Sequence, residues 1–205
     1  MSNLLQKLTT NWIPALDGIE PVLLKGGTVA EIRCGRGPAV IALAETYPES
    51  TFYGCDSDQE SIETARAHAS RRGVADRVSF EVAGSGEFRL NGVNLFLTID
   101  SLDRAGDPER LASRIFDSID ESGSWLIVES SDASPKGPEY QGPGRILSAA
   151  ARLLGVGTTA AAGQDNAAKC TADEESVREF TAVGGFSSLR RIGETRSHIA
   201  YEARL

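Results

Sequence analysis

The chain has 205 residues, of which 40% are hydrophobic and 24% are charged, values typical of one globular domain with a full core. Its formal net charge of −8 argues against the basic surface that proteins use to bind nucleic acid or anionic membranes. No apolar run reaches the roughly 20 residues of a membrane helix, the N-terminus lacks a secretory pattern, and the three cysteines are widely spaced. We therefore expect a single cytoplasmic domain over residues 1–205, without a disulfide framework, a metal site, or a nucleic-acid or membrane partner.

Helical and strand-like periodicities alternate along the chain. Residues 1–27 form an irregular helical lead-in that is expected to break near Pro14 and Gly18. The predicted strands, in chain order, are residues 28–32, 51–55, 77–82, 93–99, 125–128, 189–192 and 198–202. The predicted helices are residues 38–46, 58–72 (capped by Ser57 or Asp58), 109–119, 145–154 and 173–183. The last two strands are expected to form a hairpin, and residues 130–170, rich in Gly, Ala and Pro, a lid.

This alternation predicts an α/β fold with a doubly wound, mostly parallel, Rossmann-like sheet. The C-terminal hairpin would add an antiparallel strand to that sheet. Ligands of such sheets bind beyond the C-terminal ends of the strands, where the chain order reverses. We therefore expect one cleft, lined by the loops that begin at Arg33, Asp56, Ala83, Asp100 and Glu129.

The loop after the first strand is rich in glycine and is preceded by an acid, Glu31. Glycine lets the backbone approach a ligand closely, and the N-terminus of the following helix favours anionic groups. A dinucleotide-binding turn would need a third glycine at a spacing that this sequence does not have. The second strand ends at another acid, Asp56, whose carboxylate can accept hydrogen bonds from two donors. The candidate cofactor- or anion-binding residues are Glu31, Arg33, Gly35, Arg36, Gly37, Asp56, Ser57 and Ser85.

These two motifs resemble those of class I S-adenosylmethionine (SAM) methyltransferases. In that family the glycines flank the methionine part of SAM, and the acid after the second strand holds the ribose hydroxyls. Trp12 to Phe88 resembles bacterial small-molecule methyltransferases of natural-product pathways, and shorter stretches as far as Thr195 extend the resemblance over nearly the whole chain. The resemblance implies the class I methyltransferase fold, with SAM as a possible cofactor and otherwise none.

The resemblance also bears on partners. Such relatives carry an N-terminal helical region that often forms their dimer, and this sequence begins just before the first motif. The resemblance therefore implies a homo- or hetero-oligomer in which Trp12, Ile13 and Leu16 offer apolar surface to a partner chain.

The departures from the family pattern lie in the ligand loops. Arg33 replaces the first motif glycine, and Gly84 offers no acid for the adenine amino group. Asp103 stands where relatives have the candidate basic His, and Arg104 where they have Asp. A carboxylate can still act as a base, although it is weaker than an imidazole. The candidate catalytic residues are Asp103, Asp100 and Glu129.

Three functions remain open from the sequence. In the first, Arg33 and Arg36 hold a small anionic substrate, and Asp103 or Asp100 is the base of a cyclisation or elimination without methyl transfer, such as sulfate-displacing aziridine formation. In the second, the chain is an active SAM-dependent O- or N-methyltransferase and its departures are drift. In the third, it is a non-catalytic subunit of a heterodimer. The two arginines could also be surface residues that pair with Glu31 or Asp56.

Two further side chains receive structural interpretations. Cys34 lies near a helix start, which would lower a thiol pKa, but a packing role is favoured. His198 is expected to be a surface residue of an edge strand.

Overall fold

The computed structural model describes residues 3–102, 105–131 and 174–205. Its helices are α1 (Asn3–Lys7), α2 (Ile13–Ala15), α3 (Ile19–Leu23), α4 (Pro38–Thr46), α5 (Gln59–Arg72), α6 (Pro108–Phe116) and α7 (Glu174–Val183), with a π-helical turn over Leu8–Trp12. Its strands are β1 (Thr28–Ile32), β2 (Thr51–Asp56), β3 (Val78–Val82), β4 (Val93–Ile99), β5 (Ile119–Ser130), β6 (Ser188–Glu194) and β7 (His198–Arg204). None of the helices in these three ranges is long and apolar enough to cross a membrane.

The seven strands form one sheet in the order β3-β2-β1-β4-β5-β7-β6. Strands β1 to β5 are parallel to one another, whereas β7 runs antiparallel to both β5 and β6. The chain order reverses at β1, because β2 lies on one side of it and β4 on the other. This mixed α/β sheet, mostly parallel with an antiparallel C-terminal hairpin, confirms the predicted architecture.

Local sequence explains where the helices beside this edge begin and end. Pro38 occupies the first turn of α4, where a missing backbone N–H costs nothing. Asp58 caps α5 by accepting a hydrogen bond of 2.9 Å from the backbone N–H of Ser61, and Gly73, with φ of 70°, ends that helix. Asp58 is one of the two caps that the sequence predicted, and the helix ends at Arg72 as expected.

Apolar side chains fill both faces of the sheet, which accounts for the nearly continuous apolar runs of its central strands. One core cluster joins the N-terminal segment, α4 and α5 to the sheet, and the other joins α6 and α7 to the opposite face. The largest fully buried side chains include Trp12 in the first cluster and Trp125 in the second. The sheet is therefore a central layer with both faces covered, so a ligand site can form only from the loops at its edges.

The boundary between α6 and β5 differs from the prediction. A helix was expected to run to Ile119, but α6 ends at Phe116, and Ile119 already pairs with Val93 of β4. The hydroxyl of Ser118 donates to the carbonyl of Arg114 at 2.8 Å and helps to close the helix. Strand β5 therefore begins well before the expected residue 125.

The N-terminal residues correct a second expectation. Trp12, Ile13 and Leu16 are 2%, 0% and 3% exposed, because they pack into the core beside α4. The prediction that they offer apolar surface to a partner chain is therefore wrong. The expected lid over 130–170 and its helix over 145–154 lie outside the described residues, apart from the first two residues of the lid.

Candidate functional site

The C-terminal ends of β1 to β5 lie at one edge of the sheet, since these strands are parallel to one another. The antiparallel strand β7 begins at the same edge, where His198 is the register partner of Ser130. Ligands of doubly wound sheets bind in this region. The candidate site therefore comprises the side chains at this edge.

The glycine-rich turn after β1 has two glycines with different tasks. Gly35 has φ of 54°, and a Cβ there would have no neighbour within 4 Å. Gly37 has φ of 72°, and a Cβ there would lie 2.7 Å from the ring of Phe80 on β3. Gly35 thus leaves bare backbone open to a ligand, whereas Gly37 lets the turn pack closely on the sheet.

Arg33 begins this turn in the left-handed conformation, with φ of 61°. A residue with a Cβ is disfavoured there by about 1–2 kcal/mol, which is why glycine is the ordinary choice. The side chain is half-buried, whereas that of Arg36, three residues later, is exposed. The turn keeps a conformation suited to glycine while presenting two cations.

Asp56, at the end of β2, holds the turn in place. Its Oδ2 accepts a hydrogen bond of 2.9 Å from the backbone N–H of Gly35, and its Oδ1 accepts one of 3.0 Å from that of Asp58. Each carboxylate oxygen retains a further lone pair, and the side chain is half-buried. Asp56 can therefore brace the turn and still accept from a ligand, and the neighbouring Ser57 is exposed.

Glu31 lies in the interior rather than in the cleft. Its side chain is 4% exposed, and its Oε2 accepts a hydrogen bond of 3.2 Å from the backbone N–H of Val40 in α4. Burial raises its pKa to about 8; the Val40 N–H opposes this shift, and the negative charge of Asp56 adds to it. Glu31 is thus mostly protonated at neutral pH.

The same contact limits the N-terminus of α4 as an anion site. Pro38 has no N–H, and the N–H of Val40 already donates to Glu31. An anion at this turn would therefore depend chiefly on the guanidinium groups of Arg33 and Arg36. The hydrogen bonds given above for Glu31 and Asp56 come from backbone N–H groups.

Asp100 follows β4 and is held by side chains from two other strands. Its φ is 47°, which makes it, with Arg33, one of two described non-glycine residues with positive φ. The hydroxyl of Ser130 donates to its Oδ1 at 2.7 Å, and its Oδ2 lies 3.1 Å from Nε2 of His198. The Asp100 side chain is 42% exposed and that of His198 16%. Strained residues of this kind cluster at functional sites.

Glu129 has a bracing position. It is 4% exposed, and its Oε1 accepts hydrogen bonds of 3.2 Å from the backbone N–H groups of Ser101 and Leu102. These bonds fix the loop that leads away from Asp100. The third catalytic candidate, Asp103, lies outside the described residues, as does Arg104.

The loop after β3 lines a cavity of about 140 Å³ next to the start of α6. Ser85 contributes to its wall, together with Glu87 and Arg110. The Glu87 carboxylate accepts a hydrogen bond of 3.2 Å from the backbone N–H of Gly84. The sequence has no acid at position 84, but in the structure the carboxylate of Glu87, three residues later, contacts the backbone of Gly84.

Cys34 is a packing residue, as predicted. It is 4% exposed, and a Cβ at Gly54 would lie 2.9 Å from its Sγ. Burial raises the pKa of the thiol well above its ordinary value, and the nearby Glu31 adds to the shift. The lowering that a helix start could cause is therefore outweighed.

His198 is the residue whose place the sequence did not predict. It was expected on the surface of an edge strand, but the edge strand is β6, and β7 lies between β6 and β5. The imidazole is consequently mostly buried and faces Asp100, 98 positions earlier. In the sequence, the only indication that His198 belongs to the site is that it is a histidine at the start of a predicted strand.

The profile of a family described as a methyltransferase domain matches residues 23–179, more than half of the chain. No curated protein matches the chain by sequence. Similarity to solved structures is extensive in shape and low in sequence, and it extends over both longer and similarly sized proteins.

Three solved structures illustrate this similarity. The N,N-8-amino-8-demethyl-D-riboflavin dimethyltransferase RosA from Streptomyces davawensis is 16% identical, with a TM-score of 0.66, over 98% of this chain and 53% of that chain. A SAM-dependent methyltransferase from Aquifex aeolicus is 14% identical, with a TM-score of 0.65, over 98% and 96%. The [4+2]-cyclase SpnF is 18% identical, with a TM-score of 0.60, over 84% and 56%.

The chain spans about half the length of the first structures that it matches, at 52% and 53% of theirs. The sheet order, the glycine-rich turn after β1 and the acid at the end of β2 agree with the family match. The chain belongs to the methyltransferase domain family and has the fold of the class I SAM-dependent methyltransferases.

Proposed function

We propose that this protein is a tailoring enzyme, or a subunit of one, in bacterial natural-product biosynthesis that acts on a small anionic substrate without transferring a methyl group. The observation that carries the proposal is Arg33, which occupies a left-handed position in the turn beside the bare backbone of Gly35. A side chain with a Cβ persists at such a position only when the surrounding structure enforces it.

The residues fit only one part of SAM. Gly35 and Asp56 are suited to the nucleoside, because the first leaves open backbone and the second can still accept hydrogen bonds. The methionine part would meet the Cβ and the cation of Arg33, and the sulfonium carries a charge of the same sign. The reaction that we propose therefore does not use SAM.

The charges of the site favour a substrate that carries an anionic group and, near it, a proton that a base can remove. Arg33 and Arg36 can hold a sulfate, phosphate or carboxylate group, and Asp100 is an exposed carboxylate at the same edge of the sheet. A cation that binds a leaving group and a base that takes a proton suit elimination or ring formation. A cyclase with this fold is among the solved structures, so the fold itself does not require methyl transfer.

Calorimetric titration of the wild-type protein with SAM tests this proposal. We expect no SAM binding by the wild type and measurable binding by Arg33→Gly, which restores the glycine. The control is Arg36→Ala, which removes a cation from the same turn without changing the left-handed position. Micromolar binding of SAM by the wild type, together with methyl transfer to a small acceptor, would overturn the proposal.

The second candidate is an active SAM-dependent O- or N-methyltransferase of small molecules. It is favoured by Glu87, whose carboxylate reaches the backbone N–H of Gly84 and supplies an acid that the sequence pattern lacked. On this candidate, Asp56→Ala and Glu87→Ala each weaken SAM binding in the same titration. Absence of any SAM affinity in the wild type would eliminate it.

A further inference from the structure

The carboxylates at the cleft edge differ in how well each is placed to accept a proton from a substrate. Glu31 is buried and mostly protonated, and Glu129 is buried and accepts two backbone N–H groups. Asp56 braces the turn through two other backbone N–H groups. Asp100 combines an exposed side chain with hydrogen bonds to side chains. Among the described carboxylates of the cleft edge, it is the best placed to take a proton.

Both the side chain and the backbone of Asp100 are held by hydrogen bonds. Its carboxylate bridges the first cross-strand pair of β5 and β7, with Ser130 at one oxygen and His198 at the other. Its backbone N–H donates to the carbonyl of Val128 at 2.9 Å. The left-handed φ of 47° is thus kept by contacts with both strands. Fixing a base in this way lowers the cost of orienting it during reaction.

The hydrogen bonds assign the roles of the two side chains. Nε2 of His198 can donate to the carboxylate of Asp100, and Nδ1 lies 2.9 Å from the hydroxyl of Ser197. A His198 that donates from Nε2 would orient the carboxylate of Asp100. Each oxygen of Asp100 keeps a lone pair for that proton.

We propose that Asp100 is the general base of the cleft and that His198 is the positioning residue that holds it. This inference rests on the proposed function, in which this edge of the sheet is the reaction site, and it deepens that function. The substrate class is a small molecule with an acidic C–H, O–H or N–H group. Ser130 supports the same carboxylate from the opposite side.

The test uses 5-nitrobenzisoxazole, a neutral probe of positioned bases, with the full-length protein. The carboxylate removes the proton from C3, the C–H electron pair becomes part of the nitrile, and the N–O bond breaks to leave a coloured phenolate. The protonated base then returns its proton to water. We expect the wild type to exceed the buffer rate and Asp100→Asn to lose about 100-fold, the scale of general-base catalysis. Asparagine tolerates the left-handed conformation, so this variant retains the backbone of the wild type.

Variants of the imidazole separate orientation from folding. His198→Gln retains an N–H donor and is expected to keep most of the rate, whereas His198→Phe should lower kcat about 10-fold with little change in KM. The matched control is His68→Gln on α5, the other of the two histidines, which should react like the wild type. Circular dichroism of each variant checks folding.

Nitrogen NMR of the two imidazoles provides the second measurement. We expect the Nε2–H tautomer at His198, and Asp100→Asn should alter its signals but not those of His68. A wild type no faster than Asp100→Asn, an unchanged rate in His198→Phe, or the Nδ1–H tautomer would each overturn the assignment that it tests. The probe needs neither SAM nor an anion, so these outcomes are independent of the calorimetric test of the proposed function.

Discussion

Replacing Glu31 by Gln should make the protein more stable at neutral pH and remove a pH dependence from its unfolding. The pKa of this carboxyl is about 8 in the folded protein, compared with its ordinary value of 4.5. Between these values the folded state holds a proton that the unfolded state has lost, so stability falls as pH rises through this window and levels off above it. The amide of Gln cannot ionise, and its oxygen can still accept from the N–H of Val40.

The size of the effect follows from the shift at Glu31. One pKa unit corresponds to about 1.4 kcal/mol, so at pH 7, which is 2.5 units above 4.5, keeping the proton costs the folded state about 3 kcal/mol. Between pH 5 and pH 7, the wild type should lose between about 2 and 3 kcal/mol relative to Glu31→Gln. That is a large fraction of an ordinary domain's stability.

Urea unfolding at several pH values measures this difference, with the fluorescence of the buried Trp12 and Trp125 as the signal. Glu49→Gln, at an exposed position after α4, is the matched control for the loss of a negative charge and should follow the wild type. If the wild type and Glu31→Gln change in parallel between pH 5 and pH 8, Glu31 is not held protonated in the folded state, and the reasoning fails.

Two further predictions concern the backbone around the site. Gly35→Ala and Gly37→Ala impose the same left-handed strain, but only Gly37→Ala drives a Cβ into Phe80, so it should unfold more easily by a further 1–3 kcal/mol, approximately; equal urea midpoints would contradict the packing argument. Asp107 caps α6 through the N–H of Arg110 at 2.9 Å, so Asp107→Ala should cost about 1 kcal/mol and Asp107→Asn very little. Thermal unfolding of the two Asp107 variants should therefore separate them, and coincident curves would show that the cap contributes nothing.

The fold could be predicted from sequence where local signals agree. Strands β1 and β4 begin and end where expected, because each is an apolar run next to glycine or polar residues. The end of α6 could not be predicted, since Leu111, Ile115 and Ile119 continue the helical spacing into β5. Only the pairing of Ile119 with Val93 distinguishes the two states, and this contact depends on the assembled sheet.

The site was predictable in part for a related reason. The glycine-rich turn and Asp56 can be recognised from their spacing along the chain. In the structure, the backbone N–H of Gly35 donates to Oδ2 of Asp56 at 2.9 Å. The pair of Asp100 and His198 depends on which strand of the terminal hairpin lies inside the sheet. Both strands of that hairpin mix apolar and polar residues, so the sequence alone does not distinguish the inner one.

Phe80 restricts the substitutions that this protein can accept at two glycines. Its ring lies where a Cβ of Gly37 or of Gly54 would need to be, so one aromatic side chain of β3 fills the space left by glycines in two other segments. A larger residue at either glycine is tolerable only with a smaller residue at position 80. Among homologues, we therefore expect these three positions to be substituted together, and the turn that carries Arg33 to diverge in charge more readily than in shape.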